Sequence, residues 1–433
     1  MIFSVCICFI TCILMLVGVL KFPKISLGIM RADSYWVITL IGATLLLVTG
    51  QGSLSYVFGE LTADTAINPI KILTLFISMT VLSIYLDELG LFRFLAGWVL
   101  GRAKTSQKKL FLYLYLIVSV LTVFTSNDVI ILSFTPFICY FAKNAKIDPV
   151  PYLAAEFIAA NTWSMALIIG NPTNIYLASA YGIAFAEYTK IMIVPTLIAG
   201  VTAFFALYLM FSKRLCEPMQ AEPKVYEITD KPCLFIGIAH LAVCTVMLAI
   251  SSYIGCEMWL VSLLAVVSLF VCVTALSIVR RRRPTGLCTS LVRAPWQLIP
   301  FILSLFIMIV VLSDKGATAY IAAALGERFT VFGYGFASFL SANVINNIPM
   351  SVLFCSVIEN LPEALQAKAV YATVIGSNIG AFLSPIGALA GIMWSSILSL
   401  HGTGFNLRDF LRMGVRVAVP VMCASLIALN FII

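Results

Sequence analysis

Charged residues are scarce in this 433-residue chain: they make up 11% of it, whereas hydrophobic residues make up 61%. A soluble protein of this length could not bury so much apolar surface. The composition therefore excludes a soluble globular fold and predicts a polytopic membrane protein in contact with the lipid bilayer. The net charge of +8 does not indicate nucleic-acid binding, because the basic residues lie in short segments between apolar runs.

Motifs of enzyme chemistry are lacking as well. The sequence has two histidines, no C-x-x-C pair among its 12 cysteines and no GxxxxGK[ST] phosphate loop. The cysteine spacing gives no sign of a zinc site or a disulfide framework, and without a phosphate loop the chain itself is not expected to hydrolyse ATP. No nucleophile–base set is recognisable either. We therefore predict a protein that is not an enzyme and has no cofactor, apart from a coupling ion.

The apolar runs predict an all-α membrane protein with ten spans and two hairpins. Each hairpin has two arms of about fourteen residues around a polar break, which is short for a bilayer crossing and favours re-entrant hairpins. If the arms were full spans, the chain would have twelve helices. The predicted spans are residues 3–20, 35–50, 72–86, 153–181, 191–211, 233–253, 259–279, 298–312, 369–398 and 415–433, and the hairpins are 110–142 and 329–358.

The spans indicate two inverted repeats. Five spans precede the polar segment 212–231 and five follow it, and an odd number starts the second half on the opposite membrane face. We predict a first repeat over 1–211, a cytoplasmic linker over 212–231 and a second repeat over 232–433. With both termini outside the cytoplasm, all but five of the 27 basic residues lie in cytoplasmic segments. The positive-inside rule therefore favours this orientation in the cytoplasmic membrane.

Two polar clusters recur at a nearly constant offset, which predicts a central site. Asn127 and Asn346 are 219 residues apart, and Asn161 and Asn378 are 217 apart. Hairpin tips and helices broken by Pro and Gly leave backbone groups that can bind a ligand at mid-membrane. An N-terminal helix cap is the alternative role at each tip. The predicted substrate or ion ligands are Thr125, Ser126, Asn127, Asp128, Asn161, Asn171, Thr173, Asn346, Asn347, Ser377, Asn378 and Ser384.

Acidic side chains are the natural proton carriers of such a site. Asp128 is the one carboxylate at a hairpin tip, and the corresponding position of the second half holds Asn347. We therefore expect Asp128 to couple transport to protons. Glu156 precedes Asn161 in the same helix and is a second proton candidate, although its position also fits the cytoplasmic end of the span.

At these motifs the chain resembles the arsenical pump membrane protein (ArsB) family. That family belongs to the ion transporter superfamily, with NhaD-type sodium/proton antiporters and CitMHS-like divalent-anion/sodium symporters. The resemblance implies two inverted repeats with two hairpins, and it leaves open a homodimer and a cytoplasmic ATPase partner. The matching stretches are YLDELGLFRFLA from Tyr85, SNDVIILSFTPF from Ser126, FIAANTWSMALIIGNPTNI from Phe157, RAPWQLIPF from Arg293, FLSANVINNIPM from Phe339 and VYATVIGSNIGAFLSPIGALAGIMW from Val370.

The resemblance and the asparagine-rich site together favour proton-coupled export of arsenite or antimonite, which are mainly uncharged hydroxides near neutral pH. One alternative is a sodium-coupled symporter of a dicarboxylate or inorganic anion, with Na⁺ at the hairpin tips. A Na⁺/H⁺ antiporter is another, and a non-transporting membrane scaffold or receptor is a third. Intact polar clusters in both halves argue against the scaffold.

Overall fold

The computed structural model describes residues 1–22, 24–27, 30–64, 68–219, 227–284, 286–385, 387–403 and 407–433. Part of the predicted linker, 220–226, lies outside the described residues, as does Ile386 in the second predicted helix break. The described chain is almost entirely helical, and its first half also carries one small β-hairpin.

The first half contains ten helices within the described residues. They are α1 (Ile2–Lys21), α2 (Ser34–Val48), α3 (Leu54–Thr62), α4 (Pro69–Glu88), α5 (Leu91–Ala103), α6 (Gln107–Phe124), α7 (Asn127–Ala145), α8 (Val150–Trp163), α9 (Pro172–Ala180) and α10 (Phe185–Phe211). Strands β1 (Lys24–Leu27) and β2 (Met30–Asp33) pair antiparallel between α1 and α2.

The second half repeats this helical order. Its helices are α11 (Lys231–Ile250), α12 (Met258–Val279), α13 (Leu287–Arg293), α14 (Leu298–Asp314), α15 (Ala317–Leu325), α16 (Thr330–Ile345), α17 (Asn347–Ile358), α18 (Glu363–Gly380), α19 (Leu389–Leu400) and α20 (Leu407–Ile432). The boundaries of the two predicted repeats remain a prediction; α10 ends at Phe211 and α11 begins at Lys231.

The predicted all-α polytopic class is confirmed. Within the described residues, seven helices are long and apolar enough to cross a membrane, and five shorter apolar helices have 10–17 residues. Helix α10 has 27 residues, which corresponds to about 40 Å at 1.5 Å per residue. Many outward-facing side chains of these helices are large and apolar, as a lipid environment requires.

Local sequence sets several helix starts. Asn68 and Asn171 each precede a proline, and the Oδ1 atom of each accepts a backbone N–H of the first turn. Asp230 caps α11 in the same way, with Pro232 in the first turn. These caps satisfy donors that would otherwise be unpaired, and proline fits the first turn because it has no N–H to lose.

Two predicted spans are broken, as their Pro and Gly residues indicate. The span predicted over 153–181 consists of α8, a short 3₁₀ turn at Ile168–Gly170 and α9. The span predicted over 369–398 contains α18 and α19, and the described residues between them, 381–385 and 387–388, are not helical. The described residues of both breaks are almost all buried. The helix ends at each break therefore lie among buried polar side chains in the protein interior.

The last helices of the two halves, α10 and α20, run antiparallel. Ser425 Oγ of α20 donates to the carbonyl oxygen of Pro195 in α10, at 3.3 Å. At the other end, Arg214 just beyond α10 lines a common cleft with Arg412 near the start of α20. The end of α10 therefore lies beside the start of α20.

Two details were wrong in the sequence-based description. The arms of the first hairpin, α6 and α7, have 18 and 19 residues and exceed the predicted length of about fourteen. The extra residues include polar ones such as Gln107 and Lys143, which hydropathy alone assigns to loops. The β-hairpin and the short helices α3, α5, α13 and α15 were not predicted either, because their runs are too short to give a clear periodicity.

Candidate transport site

The first hairpin tip lies against the first broken helix. α6 ends at Phe124, and α7 starts at Asn127 after two extended residues. Asn127 Nδ2 donates to Asn161 Oδ1 at 3.2 Å, which joins the tip to α8. The Thr125 hydroxyl instead donates to the carbonyl oxygen of Leu121 in its own helix, at 2.8 Å. Of the predicted tip ligands, Thr125 therefore stabilises the end of α6, and Asn127 makes the tertiary contact.

Asn378 connects the second half to the first. Its Oδ1 accepts from Asn171 Nδ2 at 2.8 Å, and its Nδ2 donates to Asn174 Oδ1 at 2.7 Å and to the carbonyl oxygen of Val374 at 2.8 Å. Ser164 Oγ lies 2.9 Å from the same Oδ1. Both amide hydrogens of Asn378 are thus engaged within the protein, and its Oδ1 accepts from Asn171 and shares the single hydroxyl hydrogen of Ser164 with the Asn161 carbonyl oxygen. This geometry makes Asn378 a brace between the two broken helices.

The amide hub comprises Asn127, Asn161, Ser164, Asn171, Asn174 and Asn378, all of which are buried. Ser164 links its two parts, because its Oγ also lies 2.8 Å from the backbone oxygen of Asn161. The predicted ligand Thr173 lies in the first turn of α9 beside the hub, and its N–H donates to Asn171 Oδ1 at 3.2 Å. Ser164 and Asn174 were not predicted, although Asn174 lies in the GNPTN motif that marks the break.

The second hairpin tip is built differently from the first. Asn346 adopts a positive φ of 73° and its Oδ1 accepts the N–H of Ile348, so Asn346 and not Asn347 caps α17. Asparagine tolerates this backbone region better than most residues. The N–H of Asn347 donates to the carbonyl oxygen of Gly387 at 3.0 Å, which joins the tip to the second helix break.

Asn343 holds the same break from the other side. Its Nδ2 donates to the carbonyl oxygen of Gly380 at 3.0 Å, and its Oδ1 accepts from Ser384 Oγ at 2.6 Å. The predicted ligand Ser384 is therefore engaged with a hairpin residue. Asn343 is part of the NVINNIP motif, but sequence reasoning did not single it out because it lies one turn before the tip.

Several buried oxygens near these tips have no hydrogen-bond partner in the described part of the chain: Ser126 Oγ, Asn127 Oδ1, Asn347 Oδ1 and Ser377 Oγ. Leaving a buried acceptor unpaired costs about 1–3 kcal/mol. Each of these atoms belongs to a predicted ligand, and two of them are amide oxygens from the two different hairpin tips. They are therefore the polar atoms of these four residues that the described part of the chain leaves without a partner.

Asp128 lies on a different side of α7 from the amide hub. Successive residues of a helix point about 100° apart, so its carboxylate diverges from the Asn127 amide. Asp128 is half-buried and lines a cavity of about 330 Å³, which we name the acid cavity. Tyr35, Lys24 and Arg293 line the same cavity. The predicted proton carrier therefore borders an open space that is also lined by a second aspartate, Asp33, and by two basic side chains, of which Arg293 pairs with Asp87 and Glu88.

Glu156 is a second interior acid. It is completely buried, at the seventh residue of α8, and its assignment to a proton pathway or to the cytoplasmic end of the span stays a prediction. Thr135 Oγ1 donates to its Oε1 at 2.9 Å, and Trp394 Nε1 donates to its Oε2 at 3.3 Å. The Trp394 ring packs against Phe157, with centroids 4.9 Å apart. In the described ranges no ion pair involves Glu156.

A metal centre is not recognisable in the described residues, since no three His, Cys, Asp or Glu side chains converge. The described site consists instead of neutral amides and hydroxyls with two separate carboxyl groups. Such an arrangement can hold a small polar solute by hydrogen bonds, and the carboxyl groups can exchange protons or attract a cation.

Comparisons with known proteins identify the family. A family model described as citrate transporter (CitMHS) matches residues 25–374. The arsenical pump membrane protein of Escherichia coli strain K12 is 28% identical over 414 residues, covering 91% of this chain and 92% of that protein. The putative arsenical pump membrane protein of Bacillus subtilis strain 168 is 24% identical over 421 residues, covering 90% and 92%.

A solved structure shares the fold. The crystal structure of the YdaH transporter of Alcanivorax borkumensis, described as having an unusual topology, matches with a TM-score of 0.59 at 13% identity. The match covers 99% of this chain and 97% of that one. Together with the family match, this supports the resemblance stated above: the chain belongs to the CitMHS citrate transporter family and is a multi-pass membrane transporter, not an enzyme.

Proposed function

We propose that the protein is a secondary active transporter that exports arsenite and antimonite in exchange for protons. The observation that carries the proposal is the neutral chemistry of the amide hub. In the described part of the chain, the hub's hydrogen bonds join amides, hydroxyls and backbone groups, with no lysine or arginine among them. Uncharged trihydroxides can both donate and accept hydrogen bonds, so they suit such a site without a compensating charge.

The names of two relatives support the same substrate class, since both refer to arsenical pumps. In this proposal Asn127 and Asn347 supply the free amide oxygens, and the Ser126 and Ser377 hydroxyls complete the set. The remaining hub residues hold these groups in position. Asn378 is then a positioning residue, because both hydrogens of its own amide are already engaged within the protein.

Asp128 is the proposed proton carrier. It borders the acid cavity, which gives its carboxylate access to small ions, whereas Glu156 is enclosed by Thr135 and Trp394. Exchange of a proton at Asp128 for the metalloid would couple the two fluxes. The proposal keeps the predicted orientation in the cytoplasmic membrane, with both termini on the extracytoplasmic face and export driven by inward proton flow.

Everted membrane vesicles with an imposed pH gradient test the proposal. We expect accumulation of arsenite and antimonite that requires the gradient and stops when a protonophore dissipates it. Vesicles that contain correctly folded protein, shown by size-exclusion chromatography, but that accumulate neither metalloid would contradict the proposal. Accumulation that requires ATP and not the gradient would instead indicate an ATPase partner.

Sodium-coupled import of a small anion is the second candidate. It is favoured by the citrate description of the family model and by Lys24, which lines the same cavity as Asp128. Basic side chains attract carboxylates and oxyanions, whereas they give no advantage to a neutral hydroxide. Uptake of labelled citrate or phosphate that rises with external Na⁺ would support this candidate. Sodium-driven proton movement without any anion would point to the antiporter.

A further inference from the structure

We propose that a cleft between the ends of α10 and α20 binds the phosphodiester headgroup of an anionic lipid. The arginine cleft is lined by Arg214, Arg412 and Arg416, with Phe211 and Met413 as its buried apolar floor, and has a volume of about 620 Å³. Guanidinium groups match phosphate oxygens in geometry as well as in charge. The cleft lies away from the amide hub and has no role in the transport proposal.

The cleft keeps an excess of positive charge. Arg214 pairs with Asp148 at 2.6 Å, and Arg412 lies 3.9 Å from Asp409, which is a weak contact. Arg416 forms no ion pair within the described ranges. Three guanidinium charges against two carboxylates leave a net charge of +1 at the cleft. An anionic headgroup would neutralise this charge, whereas a zwitterionic one would not.

Because the cleft lies at the end of α10 and the start of α20, we expect it at the depth of the lipid headgroups. The apolar spans 185–211 and 408–432 reach the same membrane face here, since α10 ends where α20 begins. Leu209 and Val415, beside the arginines, are 71% and 51% exposed, as expected of side chains that face lipid. Basic pockets between spanning helices at this depth are typical sites for anionic headgroups.

This setting favours a lipid over a soluble partner. The cleft is concave, has an apolar floor and is flanked by exposed apolar side chains, so a headgroup could enter while its acyl chains stay against α10 and α20. A soluble protein with an acidic surface would fit less well, because the membrane that borders the cleft would restrict its approach. The RRRR run at Arg280–Arg283 lines neither the acid cavity nor the arginine cleft and serves as a comparison.

The test is thermal unfolding of the purified full-length protein in a neutral detergent. Dioleoyl phosphatidylglycerol, dioleoyl phosphatidylcholine and inorganic phosphate are titrated separately. We expect phosphatidylglycerol to raise the Tm in a saturable way and phosphatidylcholine to have little effect. The double variant Arg412→Gln/Arg416→Gln should weaken the apparent Kd for phosphatidylglycerol roughly 30-fold, at about 1 kcal/mol per arginine near the membrane surface and 1.4 kcal/mol per tenfold.

The matched control is Arg282→Gln/Arg283→Gln, which removes two exposed arginines elsewhere. This control should keep the wild-type response to phosphatidylglycerol. An equal loss in both double variants would overturn the proposal, because it would show general charge attraction. An equal Tm shift with phosphatidylcholine would also overturn it. An arginine-dependent shift by inorganic phosphate alone, with none from the lipid, would assign the cleft to a free anion instead.

Discussion

Asn378 Nδ2 and Asn174 Oδ1 form a hydrogen bond of 2.7 Å between residues 204 positions apart in the chain. The two side chains belong to α18 and α9, one from each half, and each helix is part of a broken span. Both residues are completely buried. The bond therefore fixes the relative position of the two breaks, and the free amide oxygens of the hairpin tips depend on that position.

Asn378→Ala should destabilise the protein. The substitution leaves donor or acceptor groups of Asn171, Asn174 and Ser164 without their partner, at about 1–3 kcal/mol for each buried group. We expect a clear fall in Tm in detergent together with a loss of transport. Asn360→Ala, at an exposed asparagine, is the control and should change neither. An unchanged Tm for Asn378→Ala would show that the hub does not hold the halves together.

Asp128→Asn should abolish gradient-driven transport while expression and Tm stay near the wild-type values. The amide retains the shape of the carboxyl group but cannot carry a proton, and Asp128 is only half-buried. Transport is measured in everted vesicles, and Asp314→Asn, at an exposed aspartate, is the control. Full activity of Asp128→Asn would move the proton carrier elsewhere, with Glu156 as the next position to test.

Glu156→Gln should be tolerated far better than Glu156→Ala. The Thr135 hydroxyl and the Trp394 indole N–H both reach Glu156 Oε2, at 3.2 and 3.3 Å, so the single amide oxygen of glutamine at that position can accept from both. The amide NH₂ at the other position can donate to the Thr135 oxygen. Alanine would leave both donors unpaired and open a cavity, and comparable large-to-small substitutions cost about 2–5 kcal/mol. The difference in Tm between the two variants measures this effect. A Gln variant as unstable as the Ala variant would indicate that the negative charge itself is required.

Gly376→Ala should disrupt the packing of α18 against α16. A methyl group at Gly376 would lie closer than 3.0 Å to Ser338 Oγ and to the backbone oxygen of Gly335. Gly376 and Gly380 form a G-x-x-x-G pair, the spacing that lets helix backbones approach closely in membranes. The variant should yield little monodisperse protein in size-exclusion chromatography. Gly333→Ala, whose methyl group would have room, should behave like the wild type.

Arg293→Ala should lower the stability of the protein, because it leaves the nearly buried carboxylate of Asp87 without its cation. Arg293 Nη2 lies 2.8 Å from Asp87 Oδ2, and Asp87 is only 3% exposed. Arg293 also pairs with Glu88. Because the guanidinium is partly exposed, the expected loss lies between the roughly 1 kcal/mol of a surface pair and the roughly 3–5 kcal/mol of a buried one. Tm measurements on Arg293→Ala and Arg282→Ala provide the comparison, and equal values would rule out a stabilising role for the pair.

The sequence was most informative where a physical constraint repeats along the chain. Apolar runs indicated the spans, and the recurrence of Asn161 at Asn378 indicated that two broken helices meet. Pro172 and the glycines of the breaks predicted where regular hydrogen bonding stops, and the structure has its helix ends there. These features are local, since a backbone that lacks a donor or a side chain must deviate at that position.

Side-chain direction could not be read from the sequence in the same way. Asn161 and Asn378 share a motif, yet one is paired with a hairpin tip and the other with the opposite broken helix. The burial of Glu156 depends on Trp394, which is 238 residues away in the chain. Such contacts are set by the packing of distant helices, and spacing along one helix does not encode them.

The start of α7 places two unlike side chains on adjacent residues. Asn127 bonds to Asn161, and Asp128 borders the acid cavity. One peptide unit separates them, and the first helical turn fixes their relative direction. The two groups therefore move as one rigid piece: any displacement of this tip that loosens the amide contact also changes the surroundings of the carboxylate. Coupling between the amide contact and the carboxylate therefore needs no long-range conformational change, because Asn127 and Asp128 are neighbours in the covalent chain.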